Sequence, residues 1–339
     1  MSFTLEEKEP FAVAVKRITV EQLDLILSHL SERSGDINES VHAARQSLKR
    51  IRALLALSRC ELGGKVFERE WACYRSAGRL LAEGRDAAVV VETFESLVQR
   101  FSYEITPDAF ASEHHFLEER RNRRLKEMVE DEGALGKACD MLTAARERVA
   151  KWPLKRKGFK ALEEGVSRSY RAGREGLRSV VRNPSPTNFH EWRRPVKLLL
   201  HQLQILTPVW PVVLHAHCQE LHALSDRLNE NHDVDGLRHA ALWSQFDTQS
   251  PNYVMLASLV DRRCRQLEAE ALPLGERLYA ERSRHFVDRI ESYLRTWRHG
   301  SRDPAPTSIT SENVLPARPD HLSGTEGVLG SIESMSVNG

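Results

Sequence analysis

VHAARQSLKRIRALLAL, residues 41–57, and FHEWRRPVKLLLHQLQIL, residues 189–206, write one pattern twice. Each has His, then Arg three positions on (Arg45, Arg193), then Lys seven positions on (Lys49, Lys197). A second shared signature follows each: GRDAAVV at Asp86, 44 residues after His42, and NHDVDGL at Asp233, 43 residues after His190. On a helix turning about 100° per residue, His42, Arg45, Lys49 and Arg52 occupy a sector of roughly 80°, and Arg59 continues it. Leu48, Ile51, Leu54 and Leu55 fall on the other side. In the second copy His190, Arg193, Lys197, His201 and Gln204 share a face, while Val196, Leu199, Leu203 and Leu206 point away. Both stretches therefore read as amphipathic helices with a core face and a cationic face. The matching distances suggest a duplicated unit whose two basic faces are brought together.

The same helical period runs through nearly the whole chain from Pro10 to His299. Helices are expected at about 10–31, 37–60, 64–83, 86–102, 107–131, 133–150, 157–181, 187–206, 211–230, 233–247, 251–272 and 275–298. Breaks fall at SERSGD, at Gly63–Gly64 and at NPSPT, where turn chemistry predicts them. No alternating strand series with hairpin turns is present, so the fold class is all-α, built of long antiparallel helices. Ser185 reads as an N-cap and Pro186 as a first-turn proline, whereas Pro195 interrupts the interior of the second basic helix. AKWPLKRKG, near 150–157, separates the two copies and reads as a short junction within one domain. Residues 1–7 are expected to be a flexible lead, 8–299 the helical domain (units about 8–150 and 151–299), and 300–339 a disordered tail rich in Ser, Pro, Gly and Thr.

With 49 Lys and Arg against 48 Asp and Glu, the 339-residue chain is nearly neutral. That balance argues against a general nucleic-acid coat but allows a concentrated basic site, since local fields depend on where charges sit. Five dispersed cysteines without a C-x-x-C pair fit free thiols in a reducing compartment. The opening MSFTLEEKEPFAVAVKR starts acidic and lacks the apolar core of a secretory signal, and the apolar run near 209–214 falls far short of the roughly 20 residues of a spanning helix. A cytoplasmic location with no membrane association is expected.

No acid interrupts the stretch from His42 to Cys60. A solvated helix usually mixes signs and gains i,i+4 pairs, so a face of like charges calls for a compensating anion, the alternative being a solvated face with no ligand. EEGVSRSYRAGREGLRSVVR adds a further stripe of Arg168, Arg171, Arg178 and Arg182, interrupted by Glu175, and Lys16 and Arg17 precede VEQLDLIL. Tyr170 and Trp192 are the nearby aromatics. Binders of single-stranded nucleic acid interleave cations with stacking platforms, so this composition fits a base-free phosphate polymer better than RNA or DNA. Arginine forks and lysine point charges suit phosphate oxygens.

In order and spacing, VHAARQSLKRIRALLAL, YRSAGRLLAEGRDAAVV, GVSRSYRAGREGL, FHEWRRPVKLLLHQL, LHALSDRLNENHDVDGL and LPLGERLYAERSRHFVDRIESYLRTW resemble the CHAD family, the conserved-histidine α-helical domain, over about residues 8–298. The resemblance implies two pseudo-symmetric four-helix units plus accessory helices around a basic central channel. It implies binding of inorganic polyphosphate and association with polyphosphate granules. Carried over by motif, the contacts are His42, Arg45, Lys49, Arg50, Arg52, Arg168, Arg171, His190, Arg193, Arg194 and Lys197. Where the family often has Arg followed by Tyr, this chain has Leu200 and His201; losing that Arg is expected to weaken the second face, with His201 partly replacing it at mildly acid pH. Asp86 and Asp233 are expected to cap the next helix or to pair with a basic neighbour.

His215, Cys218 and His222 share a helix face, but the spacing lacks the His-Glu-x-x-His arrangement of zinc hydrolases, and His114–His115 and His232–Asp233 are weaker as ligand sets. No Gly-rich phosphate loop, carboxylate pair for Mg²⁺ or nucleophile accompanies His42 and His190. The sequence therefore points to a protein that is not an enzyme, needs no cofactor or metal, and binds polyphosphate rather than nucleic acid; it identifies no protein partner. Two alternatives remain: a metal-dependent phosphohydrolase using the histidines, and a helical scaffold for a protein or nucleic acid.

Overall fold

Eleven α-helices are found among the described residues of the computed structural model: 3–31, 37–106, 108–130, 132–155, 158–239 and 250–300. They are α1 (Phe11–Ser31), α2 (Ile37–Leu57), α3 (Arg59–Leu80), α4 (Glu83–Arg100), α5 (Ala111–Glu130) and α6 (Glu132–Val149), followed by α7 (Glu163–Arg182), α8 (Pro186–Leu206), α9 (Pro211–His239), α10 (Pro251–Leu278) and α11 (Ser283–Gly300). Two short 3₁₀ turns, Gly158–Ala161 and Thr207–Val209, lead into α7 and α9. No strand occurs among the described residues. The all-α expectation holds.

Most boundaries follow the local chemistry. The break expected at Gly63–Gly64 is a sharp turn inside α3, where Gly63 takes φ 71° and ψ 158°, a left-handed region open to glycine at little cost. Ser185 caps α8 by accepting the Asn188 N–H at 3.3 Å. Two expectations fail. The helices predicted at 211–230 and 233–247 are one continuous α9 through His239, and residues 240–249 lie outside the described residues. The polar run NENHDVDG imitates a turn, but Leu221, Leu224, Leu228, Val234 and Leu237 stay buried at helical spacing, and buried Asn231 donates to the Cys264 carbonyl. Asp233 accordingly lies within a helix and caps none. Further on, α10 continues through Pro273 to Leu278 and breaks at 279–282 instead of at the proline.

The main hydrophobic core joins α1, α2, α3, α6, α7, α8, the first half of α9 and α11. α8 packs between α7 and α9 and also against α2. α2 and α7 approach so closely that a Cβ on Gly165 would lie 2.3 Å from the Leu57 carbonyl oxygen. A second, smaller core gathers Val91, Phe94 and Leu97 of α4, Leu117 of α5, Val234 and Leu237 at the end of α9, and Leu256, Leu259 and Val260 at the start of α10. α9 thus belongs to both cores, and the seam between them is where polar side chains of α2 and α8 meet α4, α5 and α9.

Residues 1–301 form one compact unit that includes the junction near 150–157. There Trp152 is buried, Lys16 Nζ donates to the Ala150 carbonyl at 2.7 Å and the Lys155 N–H donates to Glu61. The lead expected to be flexible is packed from residue 3 onward: Leu5 is buried, its N–H donates to the Ile205 carbonyl at 2.9 Å, and Arg17 holds the Thr4 carbonyl at 3.0 Å. Of the tail expected to be disordered, 300–339, all but Gly300 at the end of α11 lies outside the described residues. No helix among the described residues is long and apolar enough to cross a membrane.

Candidate anion-binding site

The core faces of α2 and α8 place their cationic faces in the seam. Val41, Ala44, Leu48, Ile51 and Leu55 anchor α2, and Phe189, Trp192, Val196, Leu199 and Leu203 anchor α8. A cavity of about 870 Å³ opens between them, lined on that wall by His42, Arg45, Gln46, Lys49, Arg193 and Lys197. α5 adds Arg120 and Arg124, α4 contributes Asp86, and α9 contributes Asn229, His232 and Asp233. Six Lys or Arg against two Asp leave four net positive charges in the lining, before any histidine is counted.

The two arginines of the repeated motif are tethered. Arg45 Nη1 donates to the Leu81 carbonyl at 3.1 Å and to the Gly78 carbonyl at 3.4 Å, closing the end of α3, while Nη2 reaches Asp86 at 3.4 Å. Arg193 Nε donates to the Asn229 side-chain oxygen at 2.5 Å. Asp86 thus takes the pairing role, one of the two expected for it. The two lysines are different: among the described residues, neither Lys49 nor Lys197 makes a hydrogen bond or ion pair. Burial pushes the Lys49 ammonium down to about 8, helped by Arg193, Arg45 and Arg52 and opposed by Asp233. It pushes Lys197 to about 7, helped by Arg193 and Lys49. The two amines line the same half-buried cavity, and the charge on Lys49 disfavours the Lys197 proton. An anion between them would relieve both.

The remaining expected residues are dispersed around this point. His190 does not line the cavity; its ring lies 4.1 Å, centroid to centroid, from that of His232, which does. Burial, Arg194 and Arg193 lower the His190 pKa, and burial with Arg193 lowers His232 to about 4. Arg52 lies 5.9 Å from the Trp71 ring and Arg50 5.4 Å from the Phe3 ring, and neither lines the cavity, nor does Arg194. Arg168 is held by Glu164 and contacts Cys60 Sγ at 3.7 Å, while exposed Arg171 contacts Ser167. His201 also stays outside, bonded to Gln204 at 2.9 Å. Its expected role in mildly acid solution fails on physical grounds: burial, reinforced by Arg50, Lys197 and Lys49, holds its pKa near 4, so it remains neutral there. Leu200, at the position where the family often has an arginine, is buried in the main core, and Tyr170 and Trp192, the nearby aromatics, are fully buried.

Arg120 and Arg124 were not anticipated. They sit one turn apart in EERRNRRLK, where flanking glutamates give α5 the mixed signs of an ordinary solvated helix, and Arg124 does pair with Glu127 at 2.9 Å. The histidine-rich start of α9 lines a different cavity, where His222 Nδ1 meets Asp226 at 2.8 Å. Elsewhere Glu95, His114 and Glu118 bring their ligand atoms within 4.8 Å of one another, near the surface.

A comparison with curated proteins finds no match. Among solved structures, that of PptA from Streptomyces chartreusis shares the fold, with a TM-score of 0.58 and 17% sequence identity over 80% of this chain and 100% of that one. The family model for the CHAD domain matches residues 17–242, which carry both copies of the motif and every residue that lines the cavity. The chain belongs to the CHAD domain family.

Proposed function

We propose that the chain is a non-catalytic binding module for inorganic polyphosphate, and that the cavity between α2, α8, α5 and α9 is a basic channel for the phosphate chain. The observation that carries this reading is the pair Lys49 and Lys197, two partnerless ammonium groups held together by opposed helices. Such a pair is costly when empty and is satisfied by an anion whose charges repeat along a chain. Arg45 and Arg193, held by their tethers, extend the row on either helix, so the two copies of the motif act as pseudo-symmetric halves of one site. Of the twelve residues expected from sequence, His42, Arg45, Lys49, Arg193 and Lys197 form its centre, joined by Arg120 and Arg124.

Among the described residues the lining contains no Phe, Tyr or Trp, which leaves nucleic-acid bases without stacking surfaces and favours a base-free polymer. Nor, among the described residues, does it contain a Ser, Thr or Cys to serve as a nucleophile. Asp86 is engaged by Arg45, and Asp233 acts on Lys49, Lys197 and Arg193, so both carboxylates steady cations. A module of this kind would reside at polyphosphate granules in the cytoplasm.

Titration calorimetry with long-chain polyphosphate and with single-stranded RNA at moderate salt tests the reading. Polyphosphate is expected to bind more tightly than RNA, with log affinity falling linearly as log salt rises, because each neutralised phosphate releases counterion. Equal affinity for the two polymers contradicts the proposal. Phosphate released from polyphosphate on addition of Mn²⁺ or Zn²⁺ would instead establish a hydrolase, and copurification of a single protein without polyphosphate a scaffold.

A further inference from the structure

The cavity described above does not end where its lining ends. α2, α8 and α9 continue past it and enclose a second cavity of about 720 Å³, with Arg50, Gln204, His215, His222 and Arg227 in its lining. The two are arranged end to end on the same three helices. α2 gives Lys49 to the first and Arg50 to the second; α8 gives Arg193 and Lys197 to the first and Gln204 to the second; α9 gives Asn229 and Asp233 to the first and His222 and Arg227 to the second. His201, one turn beyond Lys197 on α8, marks the division between them.

Beside that division stands Phe3, from the segment ahead of α1, which itself forms part of the second cavity's wall. Its ring meets His201 edge-on, with centroids 6.4 Å apart and planes at 88°, and the Arg50 guanidinium lies 5.4 Å from its centre. The segment is held in place by the Leu5 N–H on the Ile205 carbonyl and by Arg17 on the Thr4 carbonyl. Phe3 thus covers two of the cation-capable side chains that the family resemblance or the helical projection assigned to the ligand. Arg50 is the residue best suited to receive phosphate beyond the covered point: it makes no hydrogen bond or ion pair among the described residues, and a guanidinium beside an aromatic ring keeps its donors available. Arg227 is engaged by Glu270 and His222 by Asp226, so the second cavity is less positive than the first.

We propose that the second cavity is a distal subsite for the same phosphate chain, and that Phe3 limits access to it by covering Arg50 and His201 where the two cavities meet. This rests on the polyphosphate reading of the first cavity. A short chain fills the first cavity alone and is indifferent to Phe3. A long chain gains the distal contacts once the ring is removed.

Tripolyphosphate and long-chain polyphosphate are titrated into the full chain, Phe3→Ala, Phe3→Trp and Phe3→Ala/Arg50→Ala, with thermal denaturation confirming that each is folded. Phe3→Ala is expected to leave tripolyphosphate affinity within about twofold and to tighten long-chain binding by about tenfold, which corresponds to one added charged contact. Phe3→Trp, which keeps the cover, retains the wild-type length dependence, and adding Arg50→Ala to Phe3→Ala removes the gain. An unchanged long-chain affinity in folded Phe3→Ala, or an equal gain for both ligands, overturns the distal subsite while leaving the first cavity standing. A wild-type chain that binds neither ligand overturns the polyphosphate reading itself, and the subsite with it.

Discussion

Replacing both Lys49 and Lys197 with Met lowers polyphosphate affinity by about 100-fold or more and at the same time raises the melting temperature of the ligand-free protein. The two effects share one cause. Each ammonium contributes a charge-assisted contact to bound phosphate, worth about 1.5–3 kcal/mol, so losing two costs at least two orders of magnitude in affinity. In the empty protein the same groups are a liability: they are buried, mutually repelling and without hydrogen-bond partners, and their pKa values are pushed from 10.5 down to about 8 and about 7. Methionine keeps the apolar stem of each side chain and removes the charge. The relief is on the order of a few kcal/mol for the pair, which for a protein of this size is a rise of several degrees. Most substitutions destabilise, so a gain in stability together with a loss of binding is diagnostic of groups held for a ligand. Arg45→Ala separates the cases. It also removes a cation from the cavity, but its guanidinium closes the end of α3 through the Gly78 and Leu81 carbonyls, so that variant loses binding and stability together. Calorimetric affinity and thermal denaturation of the two variants read both quantities. A double lysine variant that melts lower than the wild type, with unchanged affinity, would remove the lysines from the site.

The second large effect is on pH. Both lysines have folded-state values below the unfolded value, so their contribution to stability is a cost. The cost is fully present below about pH 7 and is relieved as pH rises through about 7 and 8 towards 10.5. The ligand-free protein therefore gains stability from these two groups between pH 7 and 9. Binding runs in the opposite sense. Phosphate restores both protons, so affinity is highest where the lysines are already charged and falls as they titrate, by up to about tenfold per pH unit for each group above its own value. Between pH 6.5 and 9 the loss approaches about three orders of magnitude, while the internal phosphates of the ligand stay ionised throughout. Calorimetry at pH 8 in buffers of different ionisation enthalpy is expected to show net proton uptake on binding, and the double Met variant to show far less. Affinity independent of pH over this range contradicts the assignment.

How much of this was legible in the sequence depends on what each inference needed. α2 and α8 could be read because their apolar spacing and N-terminal chemistry are local, and the repeated His-x-x-Arg-x-x-x-Lys pattern placed Arg45, Lys49, Arg193 and Lys197 on one face of each helix. The same spacing could not tell which cations meet. Arg50 and Arg194 each follow a cavity residue by one position, but one residue is a rotation of about 100°, enough to turn both away from the cavity. What lies beside Arg50 and Arg52, the rings of Phe3 and Trp71, comes from other segments. Arg120 and Arg124 were hidden by the opposite cause, since the glutamates around them give α5 a solvated pattern that its position against the seam overrides. The length of α9 is hidden in the sequence because Asn, Asp and Gly supply turn signals that the buried run from Leu221 to Leu237 outweighs. His201 shows the limit most sharply. Its place on the cationic face was read from its spacing, but its neutrality follows from burial beneath a ring 198 positions away in the chain.

The central claim is that a phosphate chain lies between Lys49 and Lys197. A crystal structure of the protein with long-chain polyphosphate tests it most directly. Phosphate oxygens within hydrogen-bonding distance of both Nζ atoms, in the cavity between α2 and α8, are the predicted result; a chain bound elsewhere on the surface, with that cavity empty, would contradict it.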